Sequence, residues 1–122
     1  MLVNISNHPS RDWHPAQRSA ALQMAGEIQD MEFPEVPAEW EIGKVKQLAQ
    51  QTVSIVIQMM PSAAMVQGEG TMMYWLVRYL EHGGVPCYAA TSRRSAFISQ
   101  DSKGATIKQS RFEFVCFRRF EE

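Results

Sequence analysis

The sequence predicts an α/β protein of Rossmann-like topology, in which a mainly parallel sheet is covered by helices and completed by a C-terminal β-hairpin. Short apolar runs that end at polar turns alternate with segments whose apolar residues recur at the three-and-four spacing of a helix. Parallel strands need a crossover connection, which such a helix supplies. Only strand-like runs follow the last helix, and these predict the hairpin. The chain has 122 residues, the length of one domain, and we expect residues 1–122 to form it.

The first predicted strand is the apolar run from Leu2 to Ile5. A helix follows it, with Ser10 or Asp12 as the predicted cap, Pro15 in an early position and Gly26 at its end. Three residues that recur on one side form the predicted inner face of this helix: Ala16, Ala20 and Met24.

A short strand and a long helix come next. Residues 27–33 mix apolar and acidic side chains and stop at Pro34, which predicts a strand at the edge of the sheet. From about Glu41 until just before Pro61, six residues recur at helical spacing and predict an amphipathic helix: Val45, Leu48, Ala49, Thr52, Val53 and Val56.

The second half of the chain predicts one more helix and four more strands. Residues 62–66 form a small apolar strand, and a glycine turn then opens a third helix that ends at residues 83–84. The fourth strand covers residues 85–90, and the hairpin strands cover residues 96–99 and 112–117. We expect a strand order of 2-1-3-4, with the hairpin at the far edge of the sheet.

Composition and charge narrow the classes of partner. Hydrophobic residues make up 45% of the chain and charged residues 20%, which is typical of a folded domain. The net charge is −1, so we expect no long nucleic acid as a partner. Residues 1–60 hold four basic against seven acidic side chains, whereas residues 84–122 hold seven against four. A bound anion therefore belongs near the C-terminal part.

The N-terminus lacks the basic and apolar regions of a secretion signal, and no segment is long enough to span a bilayer. We therefore expect a cytoplasmic protein with no membrane partner. Cys87 and Cys116 lie in apolar strand-like runs, where a thiol is usually a small buried hydrophobe. We expect neither a disulfide nor a metal site.

Open parallel sheets bind ligands at the carboxyl ends of their strands, where the strand order reverses. In the predicted order, this crevice places the loop Ser6–Ser10 beside the loop Gln67–Thr71. Gly68 and Gly70 permit close approach, and the backbone N–H groups at the start of the third helix suit a phosphate or a carboxylate. The alternative is a tight turn in which Thr71 only caps the helix.

His8 and Glu69 are the titratable residues of these two loops. His8 carries an imidazole, which suits a base or a donor, although a histidine in a turn more often makes a local hydrogen bond. Glu69 at a helix start is stabilised by the helix dipole, and in a crevice it is also a candidate base.

A third polar group, Thr91-Ser92-Arg93-Arg94, follows the fourth strand and is predicted to be a loop. Two hydroxyls and two guanidinium groups suit a phosphate bound by charge-assisted, bidentate hydrogen bonds. Adjacent side chains of an extended chain point to opposite sides, so we expect only one arginine to face the crevice. The alternative is a solvated turn.

The triplet Asn4-Ile5-Ser6 and the Gly68-Glu69 turn before a helix resemble the CRISPR-associated Rossmann fold (CARF) family of cyclic oligoadenylate receptors. In that family, an Asn or Asp ends the first strand, a Ser or Thr follows two residues later, and a basic residue often stands four positions beyond. Here Ser10 occupies the basic position and Arg11 follows it. A chain without an effector domain is similar to small stand-alone CRISPR-associated proteins.

The resemblance implies a homodimer that binds cyclic tetra- or hexa-adenylate, a small cyclic RNA, and that cleaves it in antiviral defence as a metal-independent ring nuclease without a cofactor. Arg93 or Arg94 would hold the phosphate, and His8 or Glu69 would move the proton. The other residues implied in ligand binding are Ser6, Asn7, Ser10, Arg11, Gly68, Gly70, Thr71, Thr91 and Ser92. A non-catalytic sensor or sink and a protein-interaction subunit are the alternatives.

Overall fold

The computed structural model describes residues 1–122 and contains a five-stranded mixed sheet with three α-helices. The strand order is β2-β1-β3-β4-β5; the first four are mutually parallel and β5 is antiparallel to β4. The α/β class and the predicted order of the first four strands are therefore confirmed. The strands are β1 (Leu2–Ile5), β2 (Ile28–Met31), β3 (Ala63–Val66), β4 (Cys87–Gln100) and β5 (Thr106–Arg119).

The helices are α1 (Pro15–Ala25), α2 (Ile42–Gln58) and α3 (Gly70–His82), and a short 3-10 helix covers Ser10–Asp12. α2 and α3 lie together on one face of the sheet, where they pack against Val3 and Ile5. α1 lies on the other face, where Ala21 packs with Leu2 and Met65. All residues of β1 and β3 are buried, because helices cover both faces of these central strands.

The second helix is confirmed, and it runs from Ile42 to Gln58. Its buried side chains are five of the six expected ones: Val45, Ala49, Thr52, Val53 and Val56. Its one polar member, Thr52, donates its hydroxyl to the carbonyl of Leu48, so no hydrogen-bonding group is left unpaired inside the core.

The start and the inner face of α1 differ from the prediction. His14 caps the helix, whereas Ser10 and Asp12 lie in the 3-10 turn before it. Pro15 explains the shift, because the residue before a proline is driven out of the helical region and the helix then begins at the proline. With this start, Ala21 is the buried residue of α1, and Met24 is exposed.

The predicted loop Thr91–Arg94 is wrong, because these residues belong to β4, a single strand of 14 residues. β4 pairs with β3 only through Cys87 and Tyr88, and beyond the sheet it pairs with β5 alone. We call this part the ribbon; it comprises Ser92–Gln100, Thr106–Phe114 and the turn between them. The predicted fourth strand and first hairpin strand are thus one element, and the sheet has five strands instead of six.

The two cysteines are both free thiols, and they differ in exposure. Cys87 is fully buried, and burial raises its pKa to about 12. Cys116 is exposed, which contradicts the expected burial. Its neighbour Phe117 packs towards Trp13 on the α1 side of the sheet, and adjacent side chains of a strand point to opposite faces, so Cys116 points away from this layer. None of the helices has the length and apolarity needed to cross a membrane.

Candidate functional site

A hydrogen-bonded network holds the loop that follows β1. Asn4 and Ser6 are 1% and 4% exposed, and the Ser6 hydroxyl donates to Asn4 Oδ1 at 2.7 Å. Asn4 Nδ2 donates to the carbonyl of His8 and to Asp30 Oδ1, both at 2.9 Å. The two side chains that carry the family resemblance therefore face the protein interior and fix the path of the loop.

Asp30 on β2 is the acceptor for the far end of this loop. It accepts hydrogen bonds from the backbone N–H and the hydroxyl of Ser10, each at 3.1 Å, as well as from Asn4. Burial acts to raise the pKa of Asp30, but the hydrogen bonds from Asn4 and Ser10 outweigh burial and lower it. Ser10 is buried, so its hydroxyl serves this carboxylate and is not directed at a ligand.

His8 is the residue that the network presents. Its backbone N–H donates to Ser6 Oγ, and its carbonyl accepts from Trp13 Nε1 at 2.9 Å in addition to Asn4. The backbone of His8 is thus held on both sides, while its side chain lines a cavity of about 260 Å³. We call this the His8 cavity.

The His8 cavity lies at the carboxyl edge of the sheet, between the start of α1 and the base of the ribbon. Gln67 brings in the end of β3, and Ala90 brings in the last part of β4 before the ribbon. Trp13, Phe112 and Phe114 supply aromatic walls. The remaining lining residues are polar or titratable: Asp12, His14, Gln17, Thr91 and Ser92.

His14 is a functional candidate that the sequence prediction passed over. Its Nδ1 accepts the backbone N–H of Ala16 at 3.1 Å, which makes it the cap of α1. An accepting Nδ1 places the proton of the neutral ring on Nε2, so the cavity receives an N–H donor. The available signal was His-Pro at a helix start, because the residue before a proline at N1 is the capping residue.

Arg93 and Arg94 fall on opposite faces of the ribbon, as expected for neighbours on a strand. Arg94 pairs across the ladder with Phe112 and shares the face of the His8 cavity. Its guanidinium donates to Ser110 Oγ at 3.0 and 3.3 Å. Arg93 pairs with Glu113 on the other face.

Thr91 stabilises an irregularity at the base of the ribbon. The register shifts between Thr91, which faces Cys116, and Ser92, which faces Phe114, so that Val115 is the extra residue of a β-bulge. The Thr91 hydroxyl donates to the carbonyl of Cys116 at 2.9 Å and accepts from its N–H at 3.2 Å. Thr91 therefore bridges the two strands, and Ser92 is the exposed hydroxyl at the cavity.

The start of α3 is occupied by a side chain of the chain itself. The Glu69 carboxylate accepts the N–H groups of Thr71 and Met72 at 3.1 and 2.8 Å, together with the Thr71 hydroxyl. These hydrogen bonds lower the pKa of Glu69. The expected anion position at this helix start is thus filled by Glu69, which is the capping residue in place of Thr71.

The two glycines of this turn differ in their surroundings. A Cβ on Gly68 would lie 2.5 Å from the ring of Phe33, whereas nothing lies within 4 Å of a Cβ on Gly70. Gly68 therefore makes room for a buried phenylalanine, and not for a ligand.

The other predicted residues lie around two acidic cavities on the β2 side of the same edge. Asn7 and Glu69 line one of about 450 Å³ with Glu32 and Glu35. Ser6, Asn7 and Arg11 line the other, of about 310 Å³, with Asp30 and Glu32. The structure thus brings His8, Thr91 and Ser92 together in the His8 cavity and places Asn7, Arg11 and Glu69 apart from it. No group of three His, Cys, Asp or Glu side chains is arranged to hold a metal ion.

Comparison with known proteins identifies one matching family. The sequence matches no curated protein and no solved structure. A family model described as Uncharacterized protein MJ1673 family matches residues 1–118, which is nearly the whole chain. The chain therefore belongs to the MJ1673 family.

Proposed function

We propose that this chain is a CARF-like domain of Rossmann type that binds cyclic oligoadenylate and cleaves it as a metal-independent ring nuclease. The observation that carries the proposal is the His8 cavity. Two histidines, two glutamine amides and three aromatic rings meet there at the carboxyl edge of a mainly parallel sheet. Open α/β sheets bind their ligands at this edge.

The size and the lining of the cavity suit one nucleotide. Its volume of about 260 Å³ is close to the lower end of small-molecule sites, roughly 300 Å³. Aromatic rings such as Phe112 and Phe114 stack on bases, and the amides of Gln17 and Gln67 can hydrogen-bond to base edges. A ring of several nucleotides then extends beyond the cavity, along the ribbon face that carries Arg94, and is shared by two copies of the chain.

Cleavage in this proposal is an attack by a ribose 2′-OH on the neighbouring phosphorus. The O2′–P bond forms, the bond from phosphorus to the 5′ oxygen breaks, and the products are a 2′,3′-cyclic phosphate and a 5′-hydroxyl. His8 accepts the proton of the 2′-OH and later releases it to solvent. The Nε2–H of His14 hydrogen-bonds to the leaving oxygen, and solvent water supplies the proton that completes the 5′-hydroxyl. Arg94 offsets the negative charge that develops on the phosphate.

The remaining predicted residues keep supporting roles in this proposal. Ser6 and Ser10 hold the loop that presents His8, Thr91 holds the base of the ribbon, and Glu69 caps α3. Arg93, on the opposite face of the ribbon, does not reach the reacting phosphate.

The test is to incubate the purified protein with cyclic tetra-adenylate, and separately with cyclic hexa-adenylate, in the presence of EDTA. Mass spectrometry is expected to show linear products ending in 2′,3′-cyclic phosphate. His8→Ala is expected to slow cleavage by about 10²–10⁴-fold, the usual contribution of a positioned proton acceptor. Glu69→Ala, a matched loss of one titratable side chain at the same edge, is expected to leave the rate within about threefold, because this carboxylate only caps a helix.

Intact rings after long incubation with excess protein would overturn the enzymatic proposal. If the rings also raised the melting temperature, the chain would be a sensor or sink, the non-catalytic alternative. Equal rates of cleavage by wild type and His8→Ala would show that His8 is not the proton acceptor.

A further inference from the structure

The ribbon projects beyond the part of the sheet that the helices cover. From Ser92 to Gln100, β4 pairs only with Thr106 to Phe114 of β5, and the start of α1 approaches the ribbon only at its base, around the His8 cavity. None of the residues from Ser92 to Phe114 is buried. A lone two-stranded ribbon is marginally stable in water, because it lacks a hydrophobic layer to pack against.

Apolar side chains are exposed on both faces of the ribbon. Ile98 and Phe112, on the face of the His8 cavity, are 72% and 65% exposed. Phe97, on the opposite face, is 39% exposed under the guanidinium of Arg111.

The ribbon is strongly basic. Between residues 92 and 114 there are five basic side chains and two acidic ones, Asp101 and Glu113. The basic ones are distributed over both faces and the tip: Arg93, Arg94, Lys103, Lys108 and Arg111.

The opposite end of the same sheet is acidic. Residues 27–41 contain six acidic side chains and no basic one, and they include β2, the edge strand farthest from the ribbon. Asp30 is engaged in the β1 loop, whereas Glu32 and Glu35 are exposed at the carboxyl edge. The ribbon extends β4, which is parallel to β2, so it projects beyond this same edge.

From these observations we propose that two copies of this chain form a symmetric pair. The ribbon of each copy docks on the acidic segment 27–41 of the other. Opposite charges meet in both halves of such a symmetric pair, as isologous interfaces require. The inference shares only the two-copy arrangement with the proposed function, and it assigns the surfaces that join the copies.

The area involved suits a reversible dimer. Nine residues per strand at about 3.3 Å each, and two strands that are each about 5 Å wide, give the ribbon a face of about 300 Å². Each copy buries one face of its own ribbon and a similar area of its acidic segment under the other ribbon, which is about 600 Å² per copy. This is somewhat less than the roughly 800 Å² per partner of a standard stable complex. Because the two surfaces carry opposite charges, the association is expected to weaken strongly as the salt concentration rises.

The experiment measures self-association by sedimentation velocity, without nucleotide. Lys108→Glu with Arg111→Glu reverses one positive charge on each face of the ribbon, so that either docking face loses a positive charge. The cross-strand partners of these residues, Ile98 and Ser95, are uncharged, so the changes introduce no repulsion within the ribbon. Glu32→Lys with Glu35→Lys reverses the proposed acceptor. Each pair of changes is expected to raise the dissociation constant about tenfold or more, and the chain carrying all four is expected to return within about threefold of wild type.

Lys46→Glu with Arg78→Glu is the matched control, because both cations lie at the ring of Trp75 on the α2–α3 side of the molecule, and their reversal should leave the constant unchanged. A wild-type chain that stays monomeric at about 1 mM, reversals without effect, or a fourfold variant that fails to recover would each overturn the inference. Because the assay contains no nucleotide, dimerisation can fail while ring cleavage succeeds, or the reverse, and the two results separate the two proposals.

Discussion

At the scale of single residues, Asn4 and Ser6, which carry the family resemblance, support the His8 cavity from inside the protein and do not line it. Asn4 and Ser6 are buried and hold the backbone of His8. The sequence could identify the loop, because the polar residues Ser6 and Asn7 directly follow an apolar strand. The sequence could not show whether the Ser6 hydroxyl points into the protein or towards solvent. Its direction depends on Asn4, which is held by Asp30 of another strand.

Asp30→Asn tests the role of that carboxylate. Its pKa is lowered in the folded state, so the ionised form adds stability above the ordinary value of 3.8, and this contribution is lost as the pH falls through the lowered value. At pH 7 the change is expected to reduce the free energy of unfolding by about 1 kcal/mol, because an amide cannot accept all three hydrogen bonds and water screens an exposed group.

Chemical denaturation at pH 7 and again below pH 3.8 measures this effect, and the difference between variant and wild type should narrow in acid. Asp12→Asn is the control, because Asp12 is exposed and its nearest cation, Arg11 Nε, is 4.0 Å away. An equal loss for Asp12→Asn at pH 7 would contradict the role assigned to Asp30.

At the scale of elements, the regular helices were predictable and the long strands were not. α2 repeats its buried residues at helical spacing, so its sequence predicts both its ends and its inner face. β4 has no such pattern beyond Ala90. A ribbon exposed on both faces does not alternate apolar with polar residues, so Thr91-Ser92-Arg93-Arg94 has the composition of a turn. The base of the ribbon walls the His8 cavity, and for this reason Phe112 and Phe114 were missed as site residues.

Gly68→Ala and Gly70→Ala form a matched pair that tests the turn before α3. At Gly68 the new methyl group would meet the buried ring of Phe33 at 2.5 Å, and we expect a loss of about 1–3 kcal/mol in the free energy of unfolding. At Gly70, the first residue of α3, the methyl group meets nothing and alanine favours the helix, so stability should be unchanged or slightly higher. Thermal denaturation distinguishes the two, and equal melting temperatures would contradict the packing described.

At the scale of the whole molecule, the chain has a helix-covered sheet and a ribbon that projects beyond it. Buried side chains on both sides of β1 and β3 stabilise the first part, whereas the ribbon depends on cross-strand contacts alone. The charge asymmetry between the two halves was visible in the sequence. Its placement on a projecting ribbon and on the opposite edge of one sheet depends on the topology.

Hydrogen exchange should separate the two parts. In dilute protein, amides of Ser92–Gln100 are expected to exchange at least about tenfold faster than those of β1 and β3, because the ribbon opens locally while the sheet must unfold. At concentrations that favour the proposed dimer, the ribbon amides should slow and those of β1 should not change. Ribbon protection equal to that of β1 in dilute protein would contradict this division.

The ribbon also has a property that the rest of the fold lacks, namely an adjustable length. Its strands meet only each other, and its turn at residues 101–104 lies far from the core, so residues can be added near the tip without disturbing any buried contact. Adding one cross-strand pair at a time turns the outer side chains over, whereas adding two pairs keeps every side chain on its face and lengthens the ribbon by about 7 Å. Reach can therefore vary in steps of two while the His8 cavity at the base stays the same.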